Sequence, residues 1–233
     1  PGLVLLSYFC RRKKMFAMTD YSIFTLPNGL RMIYQQVPSQ VSYAGFTVNA
    51  GSRDEAAGED GLAHFVEHLL FKGTSRRRSW HILNRMETVG GELNAYTTKE
   101  ETVIYSVFLS EHLARAVELM SDLLLHSRFP AGEVEREVEV ILDEINSYRD
   151  TPSELIYDDF ENALFGGHAL GHNILGDSDT LLSFTSADGL RFLHTHYTAS
   201  NMVFFYRGAL PFKRVVSTLQ RYMSECGEAV SAR

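Results

Sequence analysis

The sequence predicts an α+β fold of two layers, a largely antiparallel sheet with helices packed on one face. Three observations predict it. Strand-like runs come early and in groups, at 24–34, 41–50, 92–97 and 102–109, and one more returns late at 201–206. Phe24 to Tyr34 carries Pro27-Asn28-Gly29 between two alternating runs, a strong hairpin signal. The stretch from Ser110 to Phe165 is almost wholly helical in pattern, so helices gather in blocks and do not alternate singly with strands.

Taken in order, the hairpin supplies two strands, and Val41 to Ala50 alternates well enough to be a third. Gly51 to Gly61 is a polar loop that leads into a helix from Asp60 to Phe71, with Asp60 as its expected N-cap. Lys72 to Ser79 is a basic loop in which Arg76, Arg77 and Arg78 are expected to be solvated. Ser79 is the expected cap of a helix from Trp80 to Val89, which Gly90-Gly91 breaks. Glu92–Thr97 and Thr102–Leu109 read as strands. Ser110 opens a long helix with Leu113, Ala116, Val117, Met120, Leu123 and Leu124 on one stripe. Pro130 starts the next, to about Tyr148, and Pro152 another, to Phe165, as proline in a first turn allows. A Gly/His loop spans 166–176, short helices follow at 179–184 and 187–197, and 212–223 is a last helix.

Composition narrows the function classes. With 45% apolar and 22% charged residues the chain can bury a sizeable core. A net charge of −7 argues against a general nucleic-acid surface. Two cysteines, Cys10 and Cys226, make neither a zinc-binding spacing nor a disulfide framework, and they fit a reduced, cytoplasmic setting. Pro1 to Phe9 is apolar and is followed by Arg11-Arg12-Lys13-Lys14, the reverse of a secretory signal and too short to span a bilayer. Residues 1–20 are read as an extension, disordered or foreign to the fold, ahead of a start at Met15 or Met18. The folded unit is expected over 21–226, with 227–233 a tail.

The helix from Asp60 to Phe71 carries the chemistry. With His64 at 0° on a helical wheel, His68 falls at about 40° and Glu67 at about −60°. Two imidazoles and a carboxylate therefore share one side, while Leu62, Phe65, Val66 and Leu69 gather on the opposite side. A catalytic zinc takes three protein ligands, so a third must come from elsewhere. The helix after Pro130 has an apolar stripe of Val134, Val138, Ile141, Ile145 and Tyr148. Glu137 and Glu144 border that stripe, seven residues apart and on the same side, and either could turn inward. Helical geometry does not choose between them. His168 and His172 flank the Gly-rich loop and are read as packing or turn residues. His194 and His196, two apart on a helix, face different ways and are read as structural.

His64-Phe65-Val66-Glu67-His68 is also H-x-x-E-H, the inverted zinc-protease signature. Together with Gly91-Glu92-Leu93-Asn94-Ala95-Tyr96-Thr97, the Glu137…Glu144 helix and Gly171-His172-Asn173-Ile174-Leu175-Gly176, it resembles the pitrilysin/insulinase family of zinc peptidases. The branch it is most similar to is that of the bacterial relatives of mitochondrial processing peptidase. The resemblance runs over most of the chain.

That resemblance implies a metalloenzyme lobe of the LuxS/pitrilysin-like fold. It implies one zinc per chain on His64, His68 and Glu144, with Glu137 behind a ligand. It implies hydrolysis of peptides or unfolded polypeptide by a zinc-activated water, with Glu67 as general base. Substrate is implied to lie along a strand edge at Asn94, Ala95 and Tyr96. Family members carry a second homologous lobe, so the chain is expected to act as half an enzyme, with a second lobe, a partner subunit or a second copy. Neither nucleic acid nor a membrane span is expected. The alternative is a non-catalytic subunit of such a complex, zinc-binding but inactive without a partner lobe.

Overall fold

The computed structural model describes residues 21–227. The expected extension at 1–20, Cys10, and all of the expected tail but Gly227 lie outside the described residues. The strands are β1 (Ser22–Thr25), β2 (Arg31–Gln36), β3 (Val41–Val48), β4 (Glu92–Thr97), β5 (Thr102–Leu109) and β6 (Met202–Gly208). The helices are α1 (Leu62–Leu70), α2 (Ser79–Glu87), α3 (Leu113–His126), α4 (Ala131–Arg149), α5 (Pro152–Phe165), α6 (Ser178–Ser183), α7 (Ser186–His196) and α8 (Phe212–Met223). The sheet runs β1-β2-β6-β3-β5-β4, with only the β2–β6 pair parallel. The α+β class and the largely antiparallel sheet match the sequence reading.

Period-two burial builds the core. On β2, Met32 and Tyr34 face inward while Arg31 and Ile33 face out; on β6, Met202, Phe204 and Tyr206 do the same. Phe46, Phe108 and Phe204 from the sheet meet Leu62, Phe65 and Leu69 from α1 in one continuous cluster. All six stripe residues expected on α3 are buried. Burying one such side chain contributes about 1.5–3 kcal/mol. Gly29, at φ 86°, makes the turn of the β1–β2 hairpin, where a left-handed conformation suits glycine. Among the described residues no helix is long and apolar enough to cross a membrane.

Several local expectations give way to long-range contacts. Asp60 does not cap α1. The N-cap position is Gly61 at φ 95°, and the acceptors come from Glu55, whose Oε2 takes the Gly61 N–H at 3.0 Å and Oε1 the Ala63 N–H at 2.8 Å. Ser79 lies inside α2, and the residue before it, Arg78, makes no side-chain cap. Arg77 is not solvated. It pairs with Asp122 (2.5 Å) and Glu118 of α3, so the basic loop is fastened to that helix. Tyr148 leaves the apolar stripe of α4, and its hydroxyl donates to Asp158 at 2.5 Å.

Candidate metal centre

Helix α1 is held at both ends. Seven of its nine residues are buried, including the whole apolar back that the wheel identified. At its start the backbone of Leu175–Gly176 lies against Asp60 and Gly61, so close that a Cβ on either Gly61 or Gly176 would meet backbone at 2.6 Å or less. At its end the Phe71 N–H returns to His68 O and the Lys72 N–H to Leu69 O. The front face therefore has little freedom.

On that face, His64 Nε2 and His68 Nε2 stand 3.2 Å apart. Glu144 Oε2, arriving from α4, lies 3.5 Å from the His68 Nε2 and 3.8 Å from the His64 Nε2. The three donor atoms all lie within 4.8 Å of one another. His68 Nδ1 bonds Glu137 Oε1 at 2.8 Å. A carboxylate only accepts, so Nδ1 carries the proton and Nε2 turns its lone pair toward the other two donors. Glu137 in turn receives Lys72 Nζ at 2.5 Å. Burial pushes its carboxyl up, but the hydrogen bonds from His68 and Lys72 outweigh that and hold it below the ordinary carboxylate range. The wheel placed Glu137 and Glu144 alike. In the fold they differ: Glu137 is buried, whereas the Glu144 side chain is 44% exposed.

Burial, with His68 beside it, drives the His64 imidazole down to about 3, which favours its neutral, ligating form near pH 7. Two imidazoles and one carboxylate, with a second carboxylate behind one imidazole, are a donor set that could hold a metal ion. Glu67 sits on the same helix with its carboxyl raised by burial, while the hydroxyl of Thr97 donates to its Oε2 at 2.5 Å.

The cleft over these groups has a cavity volume of about 280 Å³. His64, Glu67, Tyr96, Thr97, Glu144 and Tyr148 line it, together with Asp158 from α5 and the loop 173–175. A larger groove of about 910 Å³ lies beside it, and Asp158 and Ile174 line both. Of the residues expected at the substrate edge, Tyr96 lines the cleft and Asn94 and Ala95 do not. All three lie on β4, an outer strand that pairs only with β5 among the described residues. Asn94 and Tyr96 are exposed, and Ala95 is half-buried on the opposite face.

The other histidines stand away from this group. His172 Nδ1 pairs with Asp60 Oδ1 at 2.9 Å, and His168 Nδ1 accepts the Leu170 N–H at 3.1 Å, a turn role. The His196 ring packs on Phe192. Lys72, Thr97 and Glu55 escaped the sequence reading. Lys72 follows His68 by one helical turn, a spacing that could have suggested it.

Comparison with known proteins agrees with this geometry. The model of the insulinase family, peptidase family M16, matches residues 31–178. An uncharacterized zinc protease of Bacillus subtilis is 36% identical over 186 residues, covering 79% of this chain and 46% of that protein. A probable mitochondrial-processing peptidase subunit beta of Arabidopsis thaliana is 35% identical over 204 residues, 87% of this chain and 38% of that one. This chain thus spans half or less of the length of these relatives. A protease from Helicobacter pylori superposes with a TM-score of 0.87 at 22% identity, over 93% of this chain and 52% of that one. An M16 peptidase inactive domain from Pseudomonas fluorescens gives 0.85 at 18%, over 92% and 52%. Both structural likenesses are of fold alone. By its sequence matches, and with a fold to suit, the chain belongs to the insulinase family of peptidases, family M16.

Proposed function

We propose that this chain is the catalytic lobe of a zinc metalloendopeptidase. What carries the reading is the convergence of His64 Nε2, His68 Nε2 and a Glu144 oxygen, with Glu67 on the same helix face. His64, His68 and Glu144 would hold the ion, and Glu137 fixes the tautomer of His68. A zinc ion there supplies a Lewis acid that acidifies water and polarises a peptide carbonyl. Glu67 accepts the proton of the attacking water and can deliver it to the leaving amine. Its burial raises its affinity for that proton.

Substrate is an extended or unfolded peptide segment added to the open edge of β4 at Asn94, Ala95 and Tyr96. Backbone pairing there gives affinity with little demand on sequence. The relatives' greater length supports a second homologous lobe or subunit as the partner. The chain alone is expected to hold about one zinc and to cleave weakly or not at all without that partner. Vigorous turnover by residues 1–233 alone would overturn that.

The alternative is a non-catalytic subunit. The inactive Pseudomonas fluorescens domain has the same fold, so fold does not decide the matter; the donor set and Glu67 support the catalytic reading. Metal analysis tests the site, and turnover with a second lobe supplied separates the two readings. The chain should bind zinc, and His68→Ala should lose it; equal zinc content in both would remove the proposed site. Glu67→Gln should keep zinc and abolish hydrolysis by the active form.

A further inference from the structure

We infer that Thr97 is the positioning residue of Glu67 and ties the proposed base to the strand proposed to receive substrate, an inference that rests on the peptidase reading above. Thr97 is the last residue of β4, whose open edge carries Asn94 and Tyr96. Side chains alternate along the strand, so Thr97 points to the opposite face from Tyr96, toward α1. Its Oγ1 lies 2.5 Å from Glu67 Oε2, the length of a charge-assisted O–H···O⁻ bond. The competing acceptor is Thr102 Oγ1, directly opposite in the β4–β5 register, at 3.5 Å. Thr102 is fully buried and donates its own proton to Ala50 O at 2.9 Å. Glu67 is thus the stronger taker of the Thr97 proton, and Thr102 backs the Thr97 side chain from behind.

The consequence is chemical. A carboxylate spins about its last torsion unless something holds it. Thr97 occupies a lone pair of Oε2, stops that rotation and leaves Oε1 free to take a proton. Because the donor sits on the strand that a substrate would extend, a peptide pairing with β4 and the base of α1 are fixed to one another. A 1 Å misplacement of a catalytic group can cost about 100-fold in rate.

The test has two arms. The first needs no metal and no turnover: melting temperatures of the metal-free chain for Thr97→Val, Glu67→Ala and the double variant. If the two side chains act as a bonded pair, the double variant melts within about 2 °C of the worse single one; shifts that simply add would overturn the inference. The second uses the zinc-loaded chain, with a second lobe supplied, on a reduced and unfolded polypeptide. Thr97→Val should lower kcat about 10–100-fold with KM and zinc content unchanged, and Thr97→Ser, which keeps the hydroxyl, should recover it to within about threefold. Wild-type kcat in Thr97→Val would refute the positioning role and leave the peptidase reading intact. Turnover by Glu67→Gln would instead refute Glu67 as base.

Discussion

The two helices that meet at the candidate metal centre are opposites. α1 is short and buries seven of its nine residues; α4 is long and buries only four of nineteen, Val134, Glu137, Ile141 and Ile145. α1 brings two imidazoles and Glu67 on a face whose orientation the core dictates. α4 brings two carboxylates, one buried against His68 and Lys72 and one half open to solvent. One half of the centre is therefore part of the hydrophobic core, and the other is laid against it from outside. Geometry in the first half is inseparable from stability, whereas in the second the two can be changed apart.

That contrast is best broken from its buried side. Phe65→Ala empties a fully buried position behind the ligands and is expected to cost about 3–5 kcal/mol in denaturant unfolding, taking zinc binding with it. A cost under about 1 kcal/mol would mean that α1 is not core-determined. Next is the start of the same helix. Glu55→Ala leaves the Gly61 and Ala63 N–H groups without their acceptor and should cost about 1–3 kcal/mol. Burial pushes the Glu55 carboxyl up to about 8, against the pull of those two N–H groups. The folded state thus binds a proton that the unfolded state has released. Its contribution is full below about pH 4.5 and is lost as pH rises through about 8. Glu55→Gln should flatten the decline in unfolding midpoint between pH 5 and 8, and an unchanged slope would assign that decline elsewhere. The smallest stability effect belongs to α4. Glu144→Gln should weaken zinc at least about tenfold by competition with a chelator, yet shift metal-free stability by no more than about 0.5 kcal/mol. A large loss of stability there would erase the distinction between the two helices.

The same contrast governs what could be read from the chain. α1 was legible because its information is local: an apolar back and a His-x-x-Glu-His front lie within nine residues. β4 and β5 were legible to the residue, since alternation and a Gly-Gly break mark them. The cap of α1 was not, because Glu55 reaches it through a loop and Asp60 looked the better local candidate. Arg77 seemed solvated because Glu118 and Asp122, which bury its charge, stand more than forty positions away. Glu137 and Glu144 could not be told apart for the same reason. Both border one stripe, and what separates them is Lys72 and the two histidines, residues of another element. The insertion of β6 between β2 and β3 has no local signature at all.

That insertion bears on how the chain is made. Among the described residues β6 alone connects the β1–β2 hairpin to the rest of the sheet, and Arg31 waits for Val203, 172 positions later. At ribosomal rates of ~5–20 residues per second, the hairpin spends roughly 10–30 s with its inner edge unpaired. Both helices of the centre and β4 have emerged by residue 149, so they can assemble first. Until β6 arrives, the inner edge of the β1–β2 hairpin is an open template for other strands.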